Sequence, residues 1–198
     1  MNRFLCTLLL LLFAVPALAQ DGYQTPPPEL ARLVEAPETP AVSLNPDRSY
    51  MLLMDQPSLP SIGELAEPEL RLAGIRINPR NNGPSRSSGY TGLTIRTLDG
   101  SAERAVTGLP EDARIGNVRW APDGQHVAFT VDGTDRIDLY VVAVADGQAR
   151  RLLDAPLNNA YYGAPFTWVS DSRTILARTV PDGRGAPPER PLAPEGPI

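Results

Sequence analysis

From Ala41 to about Val180 the hydrophobic positions fall in short runs separated by turn residues. The runs read "AVSL", "YMLLM", "GLTIRTL", "NVRW", "HVAFTV", "DLYVVAV" and "TILARTV". Between them stand Asn-Pro-Asp, Asp-Gly, Pro-Asp-Gly, a second Asp-Gly and Ser-Asp-Ser. Short β-branched and aromatic runs with this punctuation predict strands joined by tight turns, and therefore an all-β fold. In "VRWAPDGQHVAF" the turn chemistry is explicit. Proline presets φ, aspartate bonds its own backbone, and glycine takes positive φ. Alternation then puts Val118 and Trp120 on one face before the turn and Val127 and Phe129 on that face after it.

The same unit recurs. "TWVSDSRTILA" places Trp168, Asp171 and Ile175 48 positions after Trp120, Asp123 and Val127. "VSLNPDRSYMLLM" places Leu44, Pro46-Asp47 and Leu53 76 positions before Trp120, Pro122-Asp123 and Phe129. Removing an insertion of about 30 residues brings that spacing near the period of a four-stranded propeller blade. A second unit is interleaved: "LTIRTLDGSAERAVTG" matches "LYVVAVADGQARRLLD", each a strand, an Asp-Gly turn and a strand carrying arginine. Two hairpins per period make four strands, so the pattern predicts a partial β-propeller of about three four-stranded antiparallel blades over residues 41–180. Closed propellers have four to eight blades, so the expectation is an incomplete gene product or a fragment of a larger protein.

Residues 56–90 break the rhythm and read as an insertion, with one short helix around Ile62 to Ala66 and a polar Asn/Gly/Ser tip. Residues 20–40 form a proline-rich N-terminal arm with a possible helix from Pro28 to Glu35, apolar at Leu30, Leu33 and Val34. Residues 181–198 are proline-rich and almost free of apolar side chains, the composition of an extended linker or truncated tail. Residues 1–19 have the grammar of a secretory signal peptide: Arg3, an apolar run from Leu8 to Val15, and Ala17-Leu18-Ala19 before cleavage. That run is short of the length that spans a bilayer. The expectation is an exported chain, periplasmic or secreted, with no membrane association after cleavage.

Composition narrows the chemistry. The 18 basic residues are all arginine, against 23 acidic ones. An acidic chain without a basic run offers no footprint for nucleic acid. Cys6 lies in the leader and His126 is the only histidine, which leaves no thiol nucleophile, no disulfide and no His/Cys zinc site. The nearest approach to a Gly-x-Ser-x-Gly nucleophile is "GPSRS", Gly83 to Ser87, with the wrong last residue and an internal proline. His126 reads as an exposed strand residue, and Asp123 and Asp171 read as turn formers. Asn158, Asn159, Tyr161 and Tyr162 form a loop able to contribute to a ligand surface, although the aromatics are expected to pack between blades. Arg76, Arg80 and Arg86 either receive a carboxylate or solvate the insertion. No residue is assigned as catalytic, cofactor-binding or metal-binding, and no cofactor is expected.

The segments "YQTPPPELARLVEAPETPAVSLNPD", "QPSLPSIGELAEPELRLAGIRINPRNNGPSR" and "LNNAYYGAPFTWVSDSRTILARTVP", with "LTIRTLDG" and "GNVRWAPDGQHVAFT", resemble the amino-terminal part of glutamyl endopeptidase-type members of the prolyl oligopeptidase family. The resemblance implies a serine peptidase in which a propeller covers a carboxy-terminal α/β-hydrolase domain carrying the Ser, Asp and His triad. The propeller would gate or recognise peptide substrate, and the hydrolase domain and that peptide would be this chain's partners. No triad position falls within the 198 residues, so the chain is expected to be inactive alone. The competing expectation is a stand-alone periplasmic propeller module that binds a protein partner.

Overall fold

The computed structural model describes residues 25–185. The expected signal peptide at 1–19 and the outer parts of the expected arm and tail lie outside them. Helix α1 (Pro28–Val34) belongs to a separate compact unit that ends at Val34. Glu29 in its first turn and Arg32 in its last match the helix dipole. Leu30, Leu33 and Val34 are all exposed.

The second unit, from Glu35 onward, is built mostly of antiparallel strands. In chain order these are β1 (Ala41–Leu44), β2 (Tyr50–Asp55), helix α2 (Ile62–Leu65), β3 (Leu70–Leu72), β4 (Ile75–Asn78) and β5 (Gly83–Pro84). There follow β6 (Gly92–Thr97), β7 (Glu103–Ala105), β8 (Arg114–Trp120), β9 (His126–Asp132), β10 (Ile137–Ala143), β11 (Ala149–Arg151), β12 (Phe166–Trp168) and β13 (Ile175–Ala177). Two sheets are four-stranded, ordered β1-β2-β6-β7 and β8-β9-β10-β11. Strands β12 and β13 pair alone, and β3-β4-β5 form a small sheet inside the insertion.

The three copies of the turn adopt one geometry. Oδ1 of Asp47, Asp123 and Asp171 accepts the backbone N–H two residues on, at 3.0, 2.9 and 2.9 Å. The residue after each aspartate has positive φ: 59° at Arg48, 69° at Gly124 and 58° at Ser172. Only one of the three is glycine, so the aspartate bond and the hairpin hold two side-chain-bearing residues in a region they seldom occupy. The interleaved hairpins behave alike, with Asp99 and Asp146 bonding Ser101 and Gln148 at 2.9 Å and Gly100 and Gly147 at positive φ.

Repetition extends to the contacts between sheets. The indole N–H of Trp120 donates to Ser43 Oγ at 3.2 Å, and that of Trp168 donates to Arg119 O, also at 3.2 Å. Ser43 and Arg119 occupy equivalent places, each just before the last residue of the first strand of its sheet. Each tryptophan thus ties its strand to the first strand of the preceding sheet. Leu52, Met54, Leu93 and Ile95 from the first sheet meet Ile115, Val127 and Phe129 from the second in one core, with Val118 and Trp120 packed against it. On the other face Ala128, Ile137 and Leu139 meet Leu157 and Phe166, with Trp168 and Ile175 alongside. Because side chains alternate along β9, the second sheet is buried on both faces. This explains why "HVAFTV" is an apolar run with little polar alternation.

Close approach of the outer strands is set at Gly108. Thr107 bridges Gln148 in parallel, and Ala149 N–H donates to Thr107 O at 2.7 Å. Gly108 has φ 78°, and a Cβ there would lie 2.4 Å from Ala149 O. Gly108→Ala should therefore lower stability by about 1–3 kcal/mol from the left-handed backbone alone, with the steric clash adding to it. A denaturation midpoint unchanged by this substitution would show that Gly108 is neither left-handed nor packed against Ala149.

Two features depart from the sequence pattern. The third repeat forms two strands among the described residues, not four. The insertion also has its own sheet, although "LRLAGIRIN" puts a charged arginine in the middle of each short apolar run.

Candidate functional site

The insertion, the start of β8, the end of β9 and the loop before β12 border a cleft of about 970 Å³, lined among others by Tyr90, Asn117, Asp132, Asn159, Tyr161 and Tyr162. Its construction begins with the hairpin β8–β9. The register shifts between Gly116 and Arg119, so Asn117 and Val118 form a bulge opposite β9. Asn117 has φ 48° and donates from Nδ2 to Thr130 Oγ1 at 3.3 Å. Bulges bend a strand and redirect its side chains, and this one sits where β8 meets the cleft.

Asp132 ends β9 directly across from Arg114 in register. The Arg114 guanidinium nevertheless bonds the insertion, reaching Glu64 at 3.4 Å and Glu67 at 3.2 Å. Glu64 is placed there by α2, whose capping box is reciprocal: Ser61 Oγ accepts Glu64 N–H at 3.2 Å, and Glu64 Oε2 accepts Ser61 N–H at 2.8 Å. Asp132 Oδ1 is left buried and without a hydrogen-bond partner among the described residues. Burial pushes the Asp132 carboxyl up to about 6, against the opposing pull of Arg114.

One turn ties the walls together. Asn81 Nδ2 donates to Gly133 O at 2.9 Å, next to Asp132, while Asn82 O accepts Asn159 N–H at 2.9 Å. Asn78, Asn81 and Asn159 are buried. Beyond Asn159 the loop is clamped by Arg178, whose guanidinium donates to the carbonyls of Tyr161, Tyr162, Gly163 and Ala164 at 2.9–3.4 Å. Tyr161 and Tyr162 are 66% and 71% exposed, in an edge-on pair with centroids 5.7 Å apart. The expected packing of these rings between sheets does not occur. Leu157, Pro165 and Phe166 fill that space instead.

The other residues singled out in the sequence fall in place differently. Arg76 and Arg86 do receive a carboxylate, and it is internal: Glu69 lies 3.5 and 3.8 Å from them and 2.8 Å from Arg71. A 2.6 Å hydrogen bond from Ser85 Oγ and the Arg71 bond hold the Glu69 carboxyl down at about 2. Ser85, the serine at the centre of "GPSRS", is thus a structural donor. Arg80 lies just beyond β4, its backbone N–H bonded to Asn78 Oδ1. His126 is half-buried, contrary to the exposed position expected from parity, and its Nδ1 has no partner among the described residues. Among the described residues no serine or aspartate side chain joins it in a hydrogen bond. Asp123 and Asp171 are turn formers, as expected. Sequence reasoning did not single out Asp132 or Arg178, because an aspartate ending a strand and an arginine beyond one carry no local signal.

No family model matches the chain. Among curated proteins it is similar to a probable glutamyl endopeptidase, chloroplastic, of Arabidopsis thaliana, 43% identical over 187 residues that cover 89% of this chain and 19% of the relative. It is likewise similar to the protein of the same name from Oryza sativa subsp. japonica, 41% identical over 191 residues covering 90% of this chain and 20% of the relative. The chain therefore spans about a fifth of the length of these relatives and corresponds to a partial region of a peptidase-related protein.

Proposed function

We propose that the chain is the amino-terminal β-propeller portion of an exported serine peptidase of the prolyl oligopeptidase family, and that it gates or recognises peptide substrate for a hydrolase domain elsewhere in the parent protein. The observation that carries this reading is the repeated tryptophan contact, Trp120 to Ser43 and Trp168 to Arg119, with the same aspartate turn in all three copies. Sheets related by one recurring contact are the construction principle of propeller blades. The identity of 41–43% to proteins named glutamyl endopeptidase supports the peptidase assignment. In this reading the face of the first sheet that carries Val42 and Leu44, 57% and 46% exposed, is covered by a further blade. Export is proposed from residues 1–19 alone, and peptide-bond hydrolysis belongs to the parent.

Sequencing the gene beyond the codon for Ile198 tests the proposal. An in-frame continuation that encodes further four-stranded repeats and then a Gly-x-Ser-x-Gly segment is the expected result. A stop codon followed by unrelated sequence would overturn it.

A further inference from the structure

We propose that the cleft between the insertion and β8–β9 is a binding site for a polypeptide segment bearing a guanidinium side chain, with Asp132 as its counter-ion and Tyr161 and Tyr162 as its aromatic wall. This deepens the substrate-recognition reading above by naming the side chain that is read.

Three observations converge on a cation. Asp132 lines the cleft and takes part in no ion pair among the described residues; its Oδ1 is buried with no donor there, and the arginine across from it bonds Glu64 and Glu67. A buried carboxylate oxygen left unpaired is costly, and a cationic N–H that reaches it removes the cost. Arg76, the basic residue of the insertion wall, is occupied by Glu69 at 3.5 Å and does not neutralise Asp132. Asp132 also borders a second cleft whose lining adds six further carboxyl residues against two arginines, so the field around it favours positive charge.

The tyrosine wall adds selectivity for a flat cation. The two exposed rings are presented by a loop whose four carbonyls are held by Arg178. Preorganisation of this kind lowers the entropy lost on binding. A guanidinium stacks on an aromatic face while its N–H groups bond a carboxylate, which an ammonium does less well. The cleft volume of about 970 Å³ admits several residues of an extended chain around that side chain.

Calorimetric titration of the full chain with three blocked tripeptides tests this: acetyl-Ala-Arg-Ala-amide, the citrulline analogue and the glutamate analogue. The arginine peptide should bind, with the citrulline peptide weaker by about 10-fold or more through loss of a charge-assisted bond. Asp132→Asn should weaken the arginine peptide to the same extent and leave the citrulline peptide unchanged. Tyr161→Ala, on an exposed loop where folding is not at stake, should cost about 2- to 5-fold. Equal binding of arginine and citrulline peptides, no binding of the arginine peptide, or no effect of Asp132→Asn would each overturn the proposal. Preferential binding of the glutamate peptide would overturn it too, while leaving peptide recognition by this chain intact.

Discussion

Phe129→Ala should destabilise the chain by about 3–5 kcal/mol, the usual range for emptying a fully packed aromatic site. Phe129 has no exposed surface and stacks on Tyr140, its register partner in β10, with centroids 6.0 Å apart and planes 19° from parallel. It belongs to the core shared by the first and second sheets, where Leu52 and Ile95 lie across the interface. The space it vacates is bounded by two sheets whose strands are pinned by backbone ladders, so collapse into the cavity is limited. Urea unfolding followed by tryptophan fluorescence reads this directly, since Trp120 packs against the same core. Phe129→Leu keeps much of the volume and should lose less than half as much. A loss below about 1 kcal/mol for the alanine variant would mean that the two sheets do not form a dry interface in solution.

Asp132→Asn should stabilise the chain at neutral and alkaline pH and change little under acid. The Asp132 carboxyl stands at about 6 in the fold, raised by burial, against an unfolded value near 3.9. A raised acid pKa means that the folded state binds more protons than the unfolded chain between those values. Stability contributed by the protonated carboxyl is therefore fully present below about pH 4 and is lost as pH rises toward about 6. Above that, the ionised group imposes a constant penalty of about 3 kcal/mol, two pKa units at 1.36 kcal/mol each. Asparagine cannot ionise, so the difference in melting temperature between variant and parent should grow from near zero at pH 4 to its maximum by about pH 7. The charged neighbours Arg114, Glu64 and Glu67 remain in both proteins and cancel in the comparison to first order. A variant no more stable than the parent at pH 8 would show that Asp132 is paired or hydrated in solution. The same result would remove the structural basis for its role as a counter-ion.

These effects have different origins in the sequence. Phe129 was legible: alternation about the Trp-x-Pro-Asp-Gly turn places it with Val118, Trp120 and Val127, and the four do share one interface. The turns were legible too, because aspartate side chains bond their own backbone whatever lies beyond. The capped helix at Ser61 to Leu65 and the antiparallel hairpins follow equally from local chemistry. Asp132 was not legible. Its carboxylate becomes unusual only because Arg114, its partner across the ladder, is drawn away by two glutamates some fifty residues earlier in the chain. Nor was the exposure of Tyr161 and Tyr162, since aromatic side chains usually mark a core and nothing nearby announces Arg178, which holds their loop from beyond β13.

Local sequence sets the repeated units: the order of strands and turns, the turn geometry, the apolar face of the hairpin around Trp120 and the tryptophan that two of the three repeats present. All of these depend on interactions within a few residues, where φ preferences and side-chain alternation suffice. Tertiary structure alone decided where the insertion docks, which carboxylate its arginines meet, and which aspartate is left buried without a donor. Those outcomes depend on charges and hydrogen-bond partners brought together from distant segments, and a choice among several available partners is made only when the backbone has fixed their distances.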